Sequence, residues 1–276
     1  MLEGIVLGAI QGVTEWLPIS SEAIIILVKT YFFGGNEGFL ELINFALFLH
    51  LGTFLAAAWY LRDDVFALVK TALRPHRLVR EGLLGQGETE RMFRFLALAT
   101  LMSLAIGYPL LIWVLPFAEQ SIVVGTKVIT AFVGVLLLGT AFAQWQAKRK
   151  KEGGRKQVGD LEYKDGLLLG IIQGFTILPG FSRSGLTISA LLLRGYSDTT
   201  ALRTSFLMSL PAVLGGNVLI FAREGVSLSA PMVVGSLFSF LFGMLTIHVL
   251  FRISHKLNFA YFVFFFGILT LSSVFL

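Results

Sequence analysis

The chain has 276 residues and a mass of 30.3 kDa; 55% of its residues are hydrophobic, 14% are charged, and mean hydropathy is +0.80. A soluble domain carries about 25% charged residues, so an ordinary water-soluble globule is excluded. Of its 39 charged residues, 23 fall within 62–94 and 146–165 and leave the rest nearly bare, the pattern of a polytopic membrane protein. With no cysteine, disulfides, thiolate metal sites and cysteine nucleophiles are excluded as well. The net charge of +5 comes from loop lysines and arginines without aromatic interleaving, so no nucleic-acid partner is expected.

The N-terminus lacks a basic leader region, and Glu3, Gln11 and Glu15 interrupt its apolar run, unlike a secretory signal. That first run, 4–28, is broken by Gly, Pro and hydroxyl residues and reads LGAIQGVTEWLPISS over 7–21. Three uninterrupted apolar stretches follow at 39–61, 95–116 and 123–145, each near the roughly 20 residues needed to span a bilayer. A second broken run, 166–193, reads LGIIQGFTILPGFSRS over 169–184, and apolar stretches at 204–223, 231–252 and 258–276 complete the chain. Aligned from Leu7 and Leu169, six of eight positions are identical, and a Leu-Pro follows in each run. This is an internal repeat.

Each broken run predicts a re-entrant helical hairpin, 4–33 and 166–195. Non-helical backbone at membrane depth is tolerated only inside protein or beside a wet cavity; a proline-kinked helix is the alternative. Residues 62–94 and 146–165 each carry seven Lys/Arg, and Arg252 and Lys256 flank a third loop. Basic loops stay in the cytoplasm. Three spans between the hairpins then invert the second relative to the first, with both termini outside. The expected fold is an all-α polytopic membrane protein of six transmembrane helices plus two re-entrant hairpins in an inverted-topology repeat. Residues 1–145 form the first repeat, 146–165 a basic cytoplasmic loop and 166–276 the second repeat. Such a repeat brings both hairpin tips together near the bilayer midplane.

The first tip offers Gln11, Thr14, Glu15, Ser20, Ser21 and Glu22; the second offers Gln173, Thr176, Ser182, Arg183, Ser184 and Thr187. Ionisable groups within a membrane are costly and mark function. Arg183 with three hydroxyls and flanking glycines suits phosphate oxygens, and a half-helix N-terminus adds positive potential. A structural ion pair between Arg183 and Glu15 is the plainer reading. A carboxylate repels phosphate, so Glu15 calls for a hard divalent cation, Mg²⁺ or Ca²⁺, with Gln11 one turn earlier as a second oxygen donor. Ser20 and Ser21 can also be read as helix N-caps. His50 and His248, each alone in an apolar span, read as helix–helix hydrogen-bonding residues.

On these residues the chain resembles the undecaprenyl-pyrophosphate phosphatase family of the bacitracin-resistance type. The family's E/Q-xxx-E element appears as Gln11-Gly-Val-Thr-Glu15, continuing Trp16-Leu17-Pro18-Ile19-Ser20-Ser21. Its PGxSRSxxT element is complete at Pro179–Thr187, and Arg203-Thr-Ser-Phe-Leu-Met-Ser-Leu-Pro211 and His50-Leu-Gly-Thr53 are also similar. The resemblance implies a plasma-membrane enzyme with an outward-opening pocket that removes the terminal phosphate of a polyprenyl diphosphate and so recycles the lipid carrier of cell-wall glycan synthesis. It implies a divalent cation held by Gln11 and Glu15. Catalysis falls to Glu15, Ser21 and Arg183, and diphosphate binding to Ser20, Ser182, Ser184, Thr187 and Arg203. The alternative is a transporter or flippase for phosphorylated lipids using the same anion site.

One position departs from the family. Its Ser-Ser-Thr-Gly-His continues here as Ser20-Ser21-Glu22-Ala23-Ile24, with isoleucine where the family has a proposed catalytic histidine. An imidazole takes a proton near neutral pH and isoleucine cannot, which leaves Glu22, His50 and Glu15 as candidates for proton transfer. Oligomeric state stays open, a homodimer included.

Overall fold

A computed structural model describes residues 1–17, 19–34, 39–73, 87–114, 156–177, 181–224, 228–253 and 259–272, with scattered helical residues between 131 and 146. Among these the protein is all-helical; the only β feature is a single bridge between Lys156 and Tyr196. The helices are α1 (Leu2–Thr14), α2 (Ser21–Phe32), α3 (Phe39–Tyr60), α4 (Arg62–Ala72), α5 (Glu88–Pro109), α6 (Tyr163–Phe175), α7 (Arg183–Leu193), α8 (Asp198–Glu224), α9 (Ala230–Ile253) and α10 (Phe259–Ser272). The helix of α5 continues as a π-helical turn through Val114. Among the described residues two helices are long and apolar enough to cross a membrane, Glu88–Trp113 and Ala230–Ile253, and a third qualifies if α3 and α4 count as one span. Most of the expected span 123–145, the lysine-rich part of the loop 146–165 and Pro179-Gly180 lie outside the described residues.

The segment after Tyr60, expected as loop, is instead the helix α4, bent 89° from α3 and without a buried residue. Asp63 and Asp64 in its first turn and Lys70 in its last favour it, because they complement the helix dipole.

The two broken runs each fold as a helix pair. In the first, Glu3 at the start of α1 meets Lys29 at the end of α2, 3.2 Å apart. The second is closed in the same way: Asp165 at the start of α6 accepts from Arg194 Nε, just past α7, at 2.6 Å. These contacts require each pair to run out and back. The opposite ends meet one another, since Ser184 Oγ donates to the Leu17 carbonyl at 2.8 Å. The hairpins thus touch tip to tip, with their feet clamped at the far ends.

Gly4, Gly8 and Gly12 bring α1 onto α9, where a methyl at Gly8 would strike the Gly235 carbonyl. The repeat-related Gly166, Gly170 and Gly174 bring α6 onto α5, where a methyl at Gly170 would sit 2.6 Å from the Ala99 carbonyl oxygen. Small residues let helix backbones approach this closely. In both cases the first hairpin helix packs on a helix from the other half of the sequence, so the halves are interleaved. Around this contact lies the larger apolar cluster, including Trp16, Phe95, Leu169, Leu191 and Phe206.

Candidate active site

Glu15 caps α1, its backbone N–H bonded to the Gln11 carbonyl at 3.0 Å. It is 7% exposed, and four side chains converge on its carboxylate. Arg183 Nη2 pairs with Oε1. Oε2 accepts from Ser21 Oγ at 2.8 Å and from Gln11 Nε2 at 3.1 Å, and His50 Nε2 lies 3.0 Å away. Such a charge is tolerable in the interior only because cations and donors meet it from both sides.

Each partner is set by local structure. Ser21 opens α2, directly after the tip. Ser182 caps α7, its Oγ accepting from the Gly185 N–H at 3.1 Å, which fixes Arg183 and Ser184 in the first helical turn. Arg183 also donates to the Ser205 carbonyl at 3.3 Å and lies 5.8 Å from the centre of the Trp16 ring. His50 is held on α3 by an Nδ1–H bond to the Ala46 carbonyl at 2.8 Å. A carbonyl only accepts, so Nδ1 carries the proton there and Nε2 faces Glu15.

A cavity of about 300 Å³ opens beside this cluster. Glu15, Ser20, Ser21, Glu22, His50, Ser182, Arg183 and Ser184 all line it. Six expected site residues therefore share one chamber, and Gln11 stands behind Glu15. Two others are turned elsewhere. Arg203 pairs with Asp64, because α4 carries acidic residues in its first turn where a loop was expected. Thr187 donates to the Arg183 carbonyl at 2.8 Å and shares a hydrogen bond with Ser205 Oγ at 2.7 Å, tying α7 to α8 instead of lining the chamber.

His50, which the sequence offers both as a helix–helix bonding residue and as a candidate for proton transfer, stands in the cluster against Glu15. The polar wall on α5, Thr100, Ser103 and Tyr108, also lines the cavity; it lies in a featureless apolar run, so no local signal marks it.

Among the described residues, no group of three or more His, Asp or Glu is placed to hold a metal ion. The side-chain oxygen of Gln11, Oε1, however, is buried without a partner among the described residues, one turn from Glu15. Two hard oxygens, completed by phosphate oxygens and water, match how Mg²⁺ is usually held. Gln11 Oε1 and the Glu15 carboxylate are the oxygens that would hold a divalent cation here.

A model of the bacitracin resistance protein BacA family matches residues 4–272. The chain is 37% identical to an undecaprenyl-diphosphatase of Methanococcoides burtonii, over 99% of this chain and 98% of that protein. It is 35% identical to one from Methanothrix thermoacetophila, over 98% and 96% of the two chains. Against one from Haloarcula marismortui it is 36% identical, over 94% and 92%. With the match running almost end to end and both hairpin tips inside it, the chain belongs to the bacitracin resistance protein BacA family.

Proposed function

We propose that this membrane protein is a phosphatase that hydrolyses a polyprenyl diphosphate of the undecaprenyl type to the monophosphate and inorganic phosphate. The observation that carries the reading is the meeting of Ser21, Glu15 and Arg183 at one cavity. The relatives' names supply the substrate class. A carrier of phosphorylated lipids needs an anion site but no nucleophile; here a serine hydroxyl already points at a carboxylate.

In this reading the diphosphate takes Arg183 from Glu15, and the N-terminus of α7 with Ser182 and Ser184 adds donors to its oxygens. Ser21 Oγ forms a bond to the terminal phosphorus while its proton passes to Glu15 Oε2. The bond to the bridging oxygen breaks, and the monophosphate leaves with that oxygen; water then releases phosphate from the serine. His50 Nε2, 3.0 Å from the same Oε2, holds Glu15 in register. A divalent cation, when bound near Gln11 and Glu15, would neutralise charge on the diphosphate.

The hairpins sit within the bilayer in this proposal, as re-entrant elements among six spans. Each of α1 and α6 has 13 residues, about 20 Å at 1.5 Å per residue; end to end they match a bilayer of about 40 Å with its headgroups. The cytoplasmic side is marked by the basic loops, the Arg203–Asp64 pair and the Asp165–Arg194 clamp. The cavity lies toward the opposite ends of α5 and α8, so it opens to the outer face of the plasma membrane. Purified protein in detergent should release phosphate from undecaprenyl diphosphate, and a chelator should abolish release; no release at any divalent cation concentration would refute the proposal.

A further inference from the structure

The chamber has a second, apolar end that the phosphate chemistry does not use. Beyond Arg183 it runs between α5 and α8, lined by Leu104, Leu111, Phe181 and Leu219 and by the adjacent Gly215 and Gly216. At its rim Leu104 is 52% exposed and Tyr108 44% exposed. Both rim helices are read as spans, so this mouth faces acyl chains sideways and not the aqueous phase. From Glu88, Leu104 lies about 24 Å along α5, and from Asp198, Gly216 lies about 27 Å along α8. The opening therefore sits within the leaflet distant from the basic loops.

The two glycines differ from those of the hairpins. A Cβ at Gly4, Gly8, Gly170 or Gly174 would collide with the backbone or side chains of a neighbouring helix, whereas one at Gly215 or Gly216 would meet no atom of the described residues within 4 Å. Helix packing explains the first group and not the second. Glycine inside a helix costs about 1 kcal/mol relative to alanine, and here no close approach among the described residues returns that cost. What the pair leaves is open volume, continuous with the Arg183 chamber.

We infer that Gly215 and Gly216 keep open a lateral seat for the first isoprene units of the substrate's chain, and that they set the enzyme's selectivity for membrane-embedded prenyl diphosphates. The inference rests on the phosphatase reading and specifies how its lipid is held. A cavity of about 300 Å³ is at the small end of ligand pockets. It admits a diphosphate and the carbons next to it, and the rest of a long chain must leave through a side opening. Transfer of a prenyl chain from lipid to this seat gains little, because acyl tails are as apolar as leucine. The seat acts by steric registration, aligning the terminal phosphorus with Ser21.

The test compares wild type with Gly216→Leu, Gly215→Leu and the milder Gly216→Ala, using undecaprenyl diphosphate and the short, water-soluble isopentenyl diphosphate. Hydrolysis is measured alongside binding by native mass spectrometry, and melting in detergent reports folding. Gly216→Ala should melt no lower than wild type. Each leucine variant should lower the ratio of long- to short-chain kcat/KM at least tenfold and weaken binding of the long chain selectively. Unchanged ratios in folded leucine variants, or equal losses for both substrates, would overturn the seat and leave the phosphatase reading intact. Selective loss of long-chain binding in a protein that hydrolyses neither substrate would uphold the seat and overturn the phosphatase. Absence of binding of either diphosphate by wild type would overturn both.

Discussion

The carboxylate of Glu15 is the most heavily partnered charge among the described residues, with Arg183 on one oxygen and Ser21, Gln11 and His50 about the other. Removing one member of a buried pair strands the other, at a cost of about 3–5 kcal/mol. Arg183→Ala should therefore lower both melting temperature and phosphate release, whereas Arg183→Ala with Glu15→Gln should recover much of the stability and none of the rate. Loss of a preorganised charge donor slows turnover by about 10²–10³, so phosphate release by either single variant should fall at least a hundredfold. Wild-type rates in either would dismiss the assigned roles. Ser21→Ala deletes one hydrogen bond, worth about 1 kcal/mol, and should leave melting nearly unchanged while abolishing turnover.

At the scale of elements, the hairpins depend on what holds their stems and their feet. Gly8 and Gly170 have no room for a side chain, whereas a Cβ at Gly139 would meet no atom of the described residues within 4 Å. Overpacking costs about 1–3 kcal/mol and more where backbone must move; Gly8→Leu and Gly170→Leu should each destabilise, and Gly139→Leu should not, by melting in detergent. The foot of the second hairpin adds a pH dependence. Burial pushes the Asp165 carboxyl up, but the Tyr196 hydroxyl, the Glu162 backbone N–H and Arg194 outweigh it and hold the group below its ordinary range. A carboxylate lowered on folding stabilises above its unfolded value, about pH 4, and loses that contribution as pH falls through the folded value. Melting temperature should drop on acidification below pH of about 4, and Asp165→Asn should melt lower at neutral pH with a shallower acid dependence. An identical acid profile in the variant would remove Asp165 from the explanation.

For the whole molecule, interleaving has a consequence for assembly. Because α1 lies on α9 and α6 on α5, each half of the chain leaves a glycine stripe uncovered without the other. Residues 1–145 or 166–276 expressed alone should fail to accumulate as folded protein, while the two co-expressed should recover phosphate release; a stable, monodisperse single half would show that the exchange is dispensable.

Residue patterns made the all-helical class, the repeat and the membrane environment legible, since charge depletion and repeated glycines are local properties of the chain. The family motifs likewise marked Glu15, Ser21 and Arg183. His50 entering the cluster, Arg203 leaving it for Asp64, Thr187 turning to Ser205 and α4 forming where a loop was expected all depend on which helices become neighbours. A side chain's partner across 18 to 168 residues is set by helix packing, and a linear pattern of polar and apolar residues does not encode that contact. The sequence by itself determined what kind of residues this site would use; only the tertiary structure decided which of them face the chamber, because burial rewards each polar group for the partner that packing brings to it.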